Sequence, residues 1–120
     1  SMSDLTIQRP EDAKTITVEG SSVPFYKFQV NGVTYIEFDT SRCGPPEPMV
    51  NAMLAVGLIK DTKTKVIMIN HKSPAGLLPK IRENFDIQES TLEDGRVKLV
   101  FSYIEGASEQ ADLSDKTCNG

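Results

Sequence analysis

Histidine, cysteine and long apolar runs are all scarce in this chain, and each scarcity removes a class of function. No stretch approaches the roughly 20 apolar residues that span a bilayer, and no basic segment followed by an apolar core opens the chain, so neither a membrane partner nor a secretory leader is expected. The one histidine, His71, has no Cys or carboxylate at ligand spacing, and no metal site is expected. Only two cysteines occur. Cys118 lies in a polar tail, so two free thiols are expected in place of a disulfide tethering a loose end. Basic residues are scattered and outnumbered, giving a formal net charge of -4 and a pI near 4.9. A phosphate backbone would meet no basic stripe, and nucleic acid is not an expected partner. The sequence also has no glycine-rich phosphate loop, no internal repeat and no nucleophile with a companion base. Neither a cofactor nor an enzymatic activity is therefore expected.

What is present suits one soluble, cytoplasmic domain: 120 residues, 38% apolar and 25% charged. The opening Ser1-Met2 reads as a tag remnant before a native initiator. Residues 1–15 are polar, carry Pro10 and show no period, which predicts a flexible lead-in. Residues 16–105 form the expected domain, and residues 106–120 read as a disordered acidic tail.

Within the domain, Ile16 to Glu19 reads as a short strand. Phe25 to Val30, Asn31-Gly32 and Val33 to Phe38 predict a hairpin, because Asn-Gly supplies the positive φ values of a two-residue type I′ turn. That turn pairs Val30 with Val33, Phe28 with Tyr35 and Phe25 with Phe38. The period of two then puts Tyr26, Phe28, Val30, Val33 and Tyr35 on one face, and Phe25, Ile36 and Phe38 on the other. After a loop through Pro45, the spacing of Met49, Val50, Met53, Leu54 and Val56 predicts a helix over Pro46 to about Ile59, with those residues as its buried stripe and Pro46 at its first position. Val66 to Ile69 is a continuous apolar run, as in a strand buried on both faces. Ser73-Pro74 predicts a capped second helix through about Asn84, bent or shortened by Pro79. Two strands around Asp94-Gly95 follow. Hairpin, helix, strand, helix, strand, strand is an α/β (α+β) two-layer sandwich, with both helices on one face of a mixed sheet.

The stretch Cys43-Gly44-Pro45-Pro46-Glu47-Pro48-Met49 carries the functional signal. Taken with Phe38-Asp39 and the element order, it resembles the SirA/TusA-like superfamily of small sulfur carriers, in which a Leu-Asp pair precedes a Cys-Pro-x-Pro motif whose cysteine takes up a persulfide at a helix N-terminus. Counting from Phe38-Asp39, Pro45 stands where the carrier cysteine would be, and Cys43 lies two residues earlier. The chain is most similar to an uncharacterised sibling group with a Pro-Pro-Glu-Pro variant and a second helix opening like Ser73-Pro74-Ala75-Gly76-Leu77-Leu78. The resemblance covers about Val33 to Ile104. It implies a β-α-β-α-β-β core with a mixed four-stranded sheet, extended here by the N-terminal hairpin. It also implies an open sheet face opposite the helices.

Two functional expectations follow. In one, the chain is a non-enzymatic accessory protein of sulfur or redox metabolism: Cys43, beside Arg42 and the positive end of the helix, attacks a donor persulfide and passes sulfur to an acceptor. In the other, Cys43 is a bystander and the chain is a protein-binding module, using Pro45, Pro46, Glu47 and Pro48 at the helix mouth and the aromatic hairpin face. That face, Tyr26, Phe28, Val30, Val33 and Tyr35, is either a partner or homodimer surface, or is covered by the lead-in. His71, Lys72 and Ser73, at the strand end, form either an anion-binding edge or an ordinary loop and cap.

Overall fold

The computed structural model describes residues 2–104. The expected tail and Cys118 lie outside the described residues. A 3-10 turn over Met2–Thr6 leads into six strands: β1 Lys14–Ile16, β2 Phe25–Val30, β3 Val33–Asp39, β4 Thr64–Asn70, β5 Phe85–Thr91 and β6 Val97–Tyr103. Helix α1 (Glu47–Val56) joins β3 to β4, and helix α2 (Leu78–Arg82) joins β4 to β5. The strands form one mixed sheet in the order β1-β2-β3-β4-β6-β5. Its one parallel pairing among the described residues is β3 with β4. The sheet is thus six-stranded where four were expected in the core, because β2 and β1 continue it without a break. Strand β1 meets the expected Ile16 to Glu19 only at Ile16 and begins two residues earlier, in the segment expected to be loose.

The hairpin follows its turn chemistry. Asn31 and Gly32 have φ of 51° and 81°, and the register pairs Val30 with Val33, Phe28 with Tyr35 and Phe25 with Phe38. One face of the sheet, with Phe25, Phe38, Val66, Met68, Leu99 and Phe101, packs on Ala52, Ala55 and Val56 of α1 and on Leu78 and Ile81 of α2. Both helices therefore lie on this face, and the apolar run of β4 divides between the two faces.

The opposite face carries Phe28, Tyr35, Ile67, Ile69 and Val100, with Leu5, Ile7 and Ala13 of the lead-in packed on them. Tyr26, Phe28, Val30, Val33 and Tyr35 do lie on this side, but it is not open, and Phe28 and Tyr35 are buried. The lead-in is seated by its polar residues. Asp4 accepts hydrogen bonds from the Tyr35 hydroxyl at 3.1 Å and from Lys65 Nζ at 2.8 Å. Arg9 donates to Glu37 at 2.9 Å and its guanidinium stands 3.8 Å from the centre of the Tyr26 ring. A polar sequence without a period can still be fixed when each polar group meets a partner and a few apolar residues point inward.

Both helices depart from expectation. In α1 the residues facing the sheet are Asn51, Ala52, Ala55 and Val56, whereas Met49, Val50 and Met53 are 41%, 43% and 46% exposed. The helix begins at Glu47 with Pro46 as its N-cap and Pro48 in its first turn, positions where a missing N–H leaves no intrahelical bond unmade. Helix α2 starts at Leu78, not after Ser73. A turn precedes it, in which the Leu77 and Leu78 N–H groups both donate to Pro74 O. Pro79, at its second position, opens this helix and does not bend it. Among the described residues no helix is long and apolar enough to cross a membrane.

Candidate functional site

Because β3 and β4 run parallel, the loops that follow them leave the sheet at the same edge. Thr40 clips these loops together. Its N–H donates to Ile69 O at 2.9 Å, its hydroxyl donates toward Asn70 Oδ1 at 3.0 Å, and Asn70 Nδ2 donates to Lys72 O at 3.0 Å. Thr40 and Asn70 are both buried, so this small polar network is fully desolvated and its geometry is specific. Beyond Thr40 the chain turns, with Cys43 N–H donating to Thr40 O at 3.0 Å and Glu47 N–H to Gly44 O at 3.1 Å. The Pro45–Pro46 peptide bond is cis.

Asn51 anchors α1 behind this loop. Its amide donates to Ser22 Oγ and to Glu47 O, each at 2.8 Å, and its carbonyl oxygen accepts from Ser22 N–H at 3.0 Å. What remains between the helix mouth and the loop after β4 is a groove of ≈ 600 Å³. Pro45, Pro46, Pro48 and Met49 line one side, and His71, Lys72, Ser73, Pro74 and Leu77 the other. The structure therefore brings the three motif prolines together with the three residues of the strand-end loop. Arg42, Cys43 and Glu47 are not part of the lining.

Two of the expected roles change. Ser73 caps no helix: its hydroxyl donates to Glu89 Oε1 of β5 at 2.7 Å, and α2 begins five residues later. Lys72 and Ser73 thus do not stand at a helix N-terminus, and an anion-binding edge of that kind is not formed. Cys43 is half-buried, and partial burial together with the carboxylates of Glu47 and Asp39 pushes its thiol up from the ordinary range. These effects favour the thiol over the thiolate.

Sequence reasoning missed Met49 and Leu77 as groove residues, and Thr40 and Asn70 as the clip that positions them. The Met49 error follows from assigning it to the core stripe. Thr40 and Asn70 carry a weak signal, as a hydroxyl and an amide each immediately after a parallel strand. Among the described residues no group of His, Cys, Asp and Glu side chains comes together in a way that could hold a metal ion. Chemically the groove offers rigid apolar walls, an exposed ammonium on Lys72, an exposed imidazole on His71 and the Ser73 hydroxyl held by Glu89, with Cys43 outside the lining. Comparison with family models, with curated proteins and with solved structures finds no match.

Proposed function

We propose that this chain is a small protein-binding module on a SirA/TusA-like scaffold, and that the groove between the α1 mouth and the loop after β4 docks a partner segment with apolar anchors and an acidic flank. The observation that carries this reading is the exposure of Met49, Val50 and Met53 on the helix whose mouth forms the groove. Clustered exposed apolar side chains next to a concave, proline-walled surface mark an interaction site more often than a solvated face. Methionine adapts its shape to a guest at little cost, while the prolines have little freedom left to lose. The acidic flank is inferred from Lys72, which lines the groove and makes no ion pair among the described residues.

The sulfur-relay reading rests on Cys43 as a thiolate, and the local carboxylates oppose that state. The module reading asks nothing of the thiol.

Peptides selected from a displayed random library against the whole chain provide the test. Selected peptides should pair bulky apolar residues with Asp or Glu, and should perturb backbone amide resonances around Pro48 to Met53 and His71 to Leu77. Binding should survive Cys43→Ala and weaken about tenfold or more in the double variant Met49→Ser, Met53→Ser. Peptides that map to another surface would overturn the reading. So would a reducible one-sulfur mass gain, after incubation with a cysteine desulfurase and cysteine, that only Cys43→Ala abolishes.

A further inference from the structure

On the face opposite the helices, at the same sheet edge, a second cavity of ≈ 250 Å³ collects an unusual set of charges. Asp39, Ile69 and Lys98 fall in one register row across β3, β4 and β6, and Arg9 is brought over the sheet by the lead-in to meet Glu37. Arg96 closes the rim from the β5–β6 turn. Three cations and two carboxylates thus line the cavity, a surplus of one positive charge.

Lys98 is the residue that structure alone leaves unexplained. It is only 4% exposed, and burying an ammonium is costly unless it is paired. Its one hydrogen-bond partner among the described residues is a backbone carbonyl, Ile7 O, to which Nζ donates, and the Glu37 carboxylate attracts it through space without direct contact. No carboxylate of the described residues forms a salt bridge with it. Both carboxylates in the lining are already held, Glu37 by Arg9 at 2.9 Å and Asp39 by Arg96 at 3.0 Å. Arg96 also pairs outward with Asp94 at 2.8 Å. Lys98 therefore retains two N–H donors, and Arg9 uses only Nε.

We infer that this cavity is a receptor for a small organic monocarboxylate, with the carboxylate held by Lys98 and the free edges of Arg9 and Arg96, and its short apolar part resting on Ile69 and Leu92. A monoanion matches the single surplus charge, whereas a phosphate dianion would face Glu37 and Asp39 with more charge than the cations offset. The volume lies below the roughly 300–1,000 Å³ of pockets for drug-sized ligands, which restricts the occupant to a few carbons. Burial also works on the charges already there, pushing Lys98 down and Glu37 up from their ordinary values. An arriving carboxylate would give Lys98 the direct contact that Glu37, held by Arg9, does not make.

Sodium butyrate, with inorganic phosphate in parallel, is titrated into the isotopically labelled full chain while amide resonances are followed. Butyrate should shift residues around Glu37 to Asp39, Ile69 and Arg96 to Lys98 in a saturable way, and phosphate should not. Lys98→Met, which keeps the apolar stem and removes the buried charge, should still fold, give up the contact to Ile7 O, and bind butyrate at least about tenfold more weakly. Arg96→Gln, on the exposed turn, should weaken binding without disturbing the core. Absence of saturable shifts overturns the inference, as do shifts unchanged by both variants or a stronger response to phosphate. A lower melting temperature in Lys98→Met with no change in butyrate response would mark Lys98 as a latch for the lead-in only.

Discussion

Cys43 and Lys98 show how far one residue's neighbours decide its chemistry. A cysteine shortly before a helix reads as an activated thiol, yet partial burial, Glu47 and Asp39 all move Cys43 the other way. Glu47 itself was legible as a favourable first-turn acid. That it sits close enough to act on the thiol follows from the Thr40 to Glu47 turn, which sequence spacing does not describe. Replacing Glu47 with Gln should lower the thiol's pKa, and iodoacetamide should then alkylate Cys43 faster than in the parent at mildly alkaline pH. An unchanged or slower rate would show that the carboxylate does not reach the sulfur. Lys98 was illegible for a different reason: a lysine alternating with Val97 and Leu99 on a strand reads as solvent-facing. Only the lead-in folding over β6 makes it an interior charge.

At the level of elements, α1 teaches most. The helix itself and its proline-rich start were readable, but its orientation was not. Spacing identifies the apolar positions but does not say which arc will face the sheet. Ala52 and Ala55, with no bulk, let the helix lie close to Phe38 and Met68, and Asn51 ties it to Ser22. The larger Met49, Val50 and Met53 then turn outward. Met49→Ser with Met53→Ser should accordingly leave the urea midpoint nearly unchanged, within about 0.5 kcal/mol of the parent. Ala52→Leu, by contrast, should cost about 1–3 kcal/mol through overpacking. Equal losses in both variants would mean that the methionines are part of the core. The hairpin was readable because Asn31-Gly32 has one favourable geometry. Helix α2 was overestimated because Ser73-Pro74 has a turn of its own to open, and the regular helix waits until Leu78.

For the whole molecule, the decisive feature is the strap formed by residues 4–13, whose coverage of the hairpin face the sequence left as one of two alternatives. Its two anchors, Asp4 and Arg9, lie in a segment whose polar, aperiodic sequence predicts a loose lead-in, although Leu5 and Ile7 between them face the sheet. Burial works to raise the Asp4 carboxyl, but the group lies below its ordinary 3.8, and hydrogen bonds from Lys65 and Tyr35 and the Lys65 charge are among the interactions that lower it. Tyr35, buried and bonded to that carboxylate, is pushed up to about 12. A carboxyl lowered by folding stabilises the native state above its unfolded pKa, and loses that contribution as pH falls through the folded value. The melting-temperature gap between the parent and Asp4→Asn should therefore be widest above 3.8 and close as pH falls through the lowered value that folding gives the carboxyl. A gap that holds constant through the acid range would remove Asp4 from the account of the strap.

The strap also orders events in time. Residues around Ile7 leave the ribosome well before Lys98, which lies 91 residues further along and is part of their seat. Until β6 has emerged, the lid over Phe28 and Tyr35 lacks its Lys98 tie, and the nascent hairpin is less firmly covered on its aromatic side. A segment made early is thus fully seated only late, so each newly synthesised chain passes through an interval in which chaperones and sibling chains compete for the surface that the strap later closes.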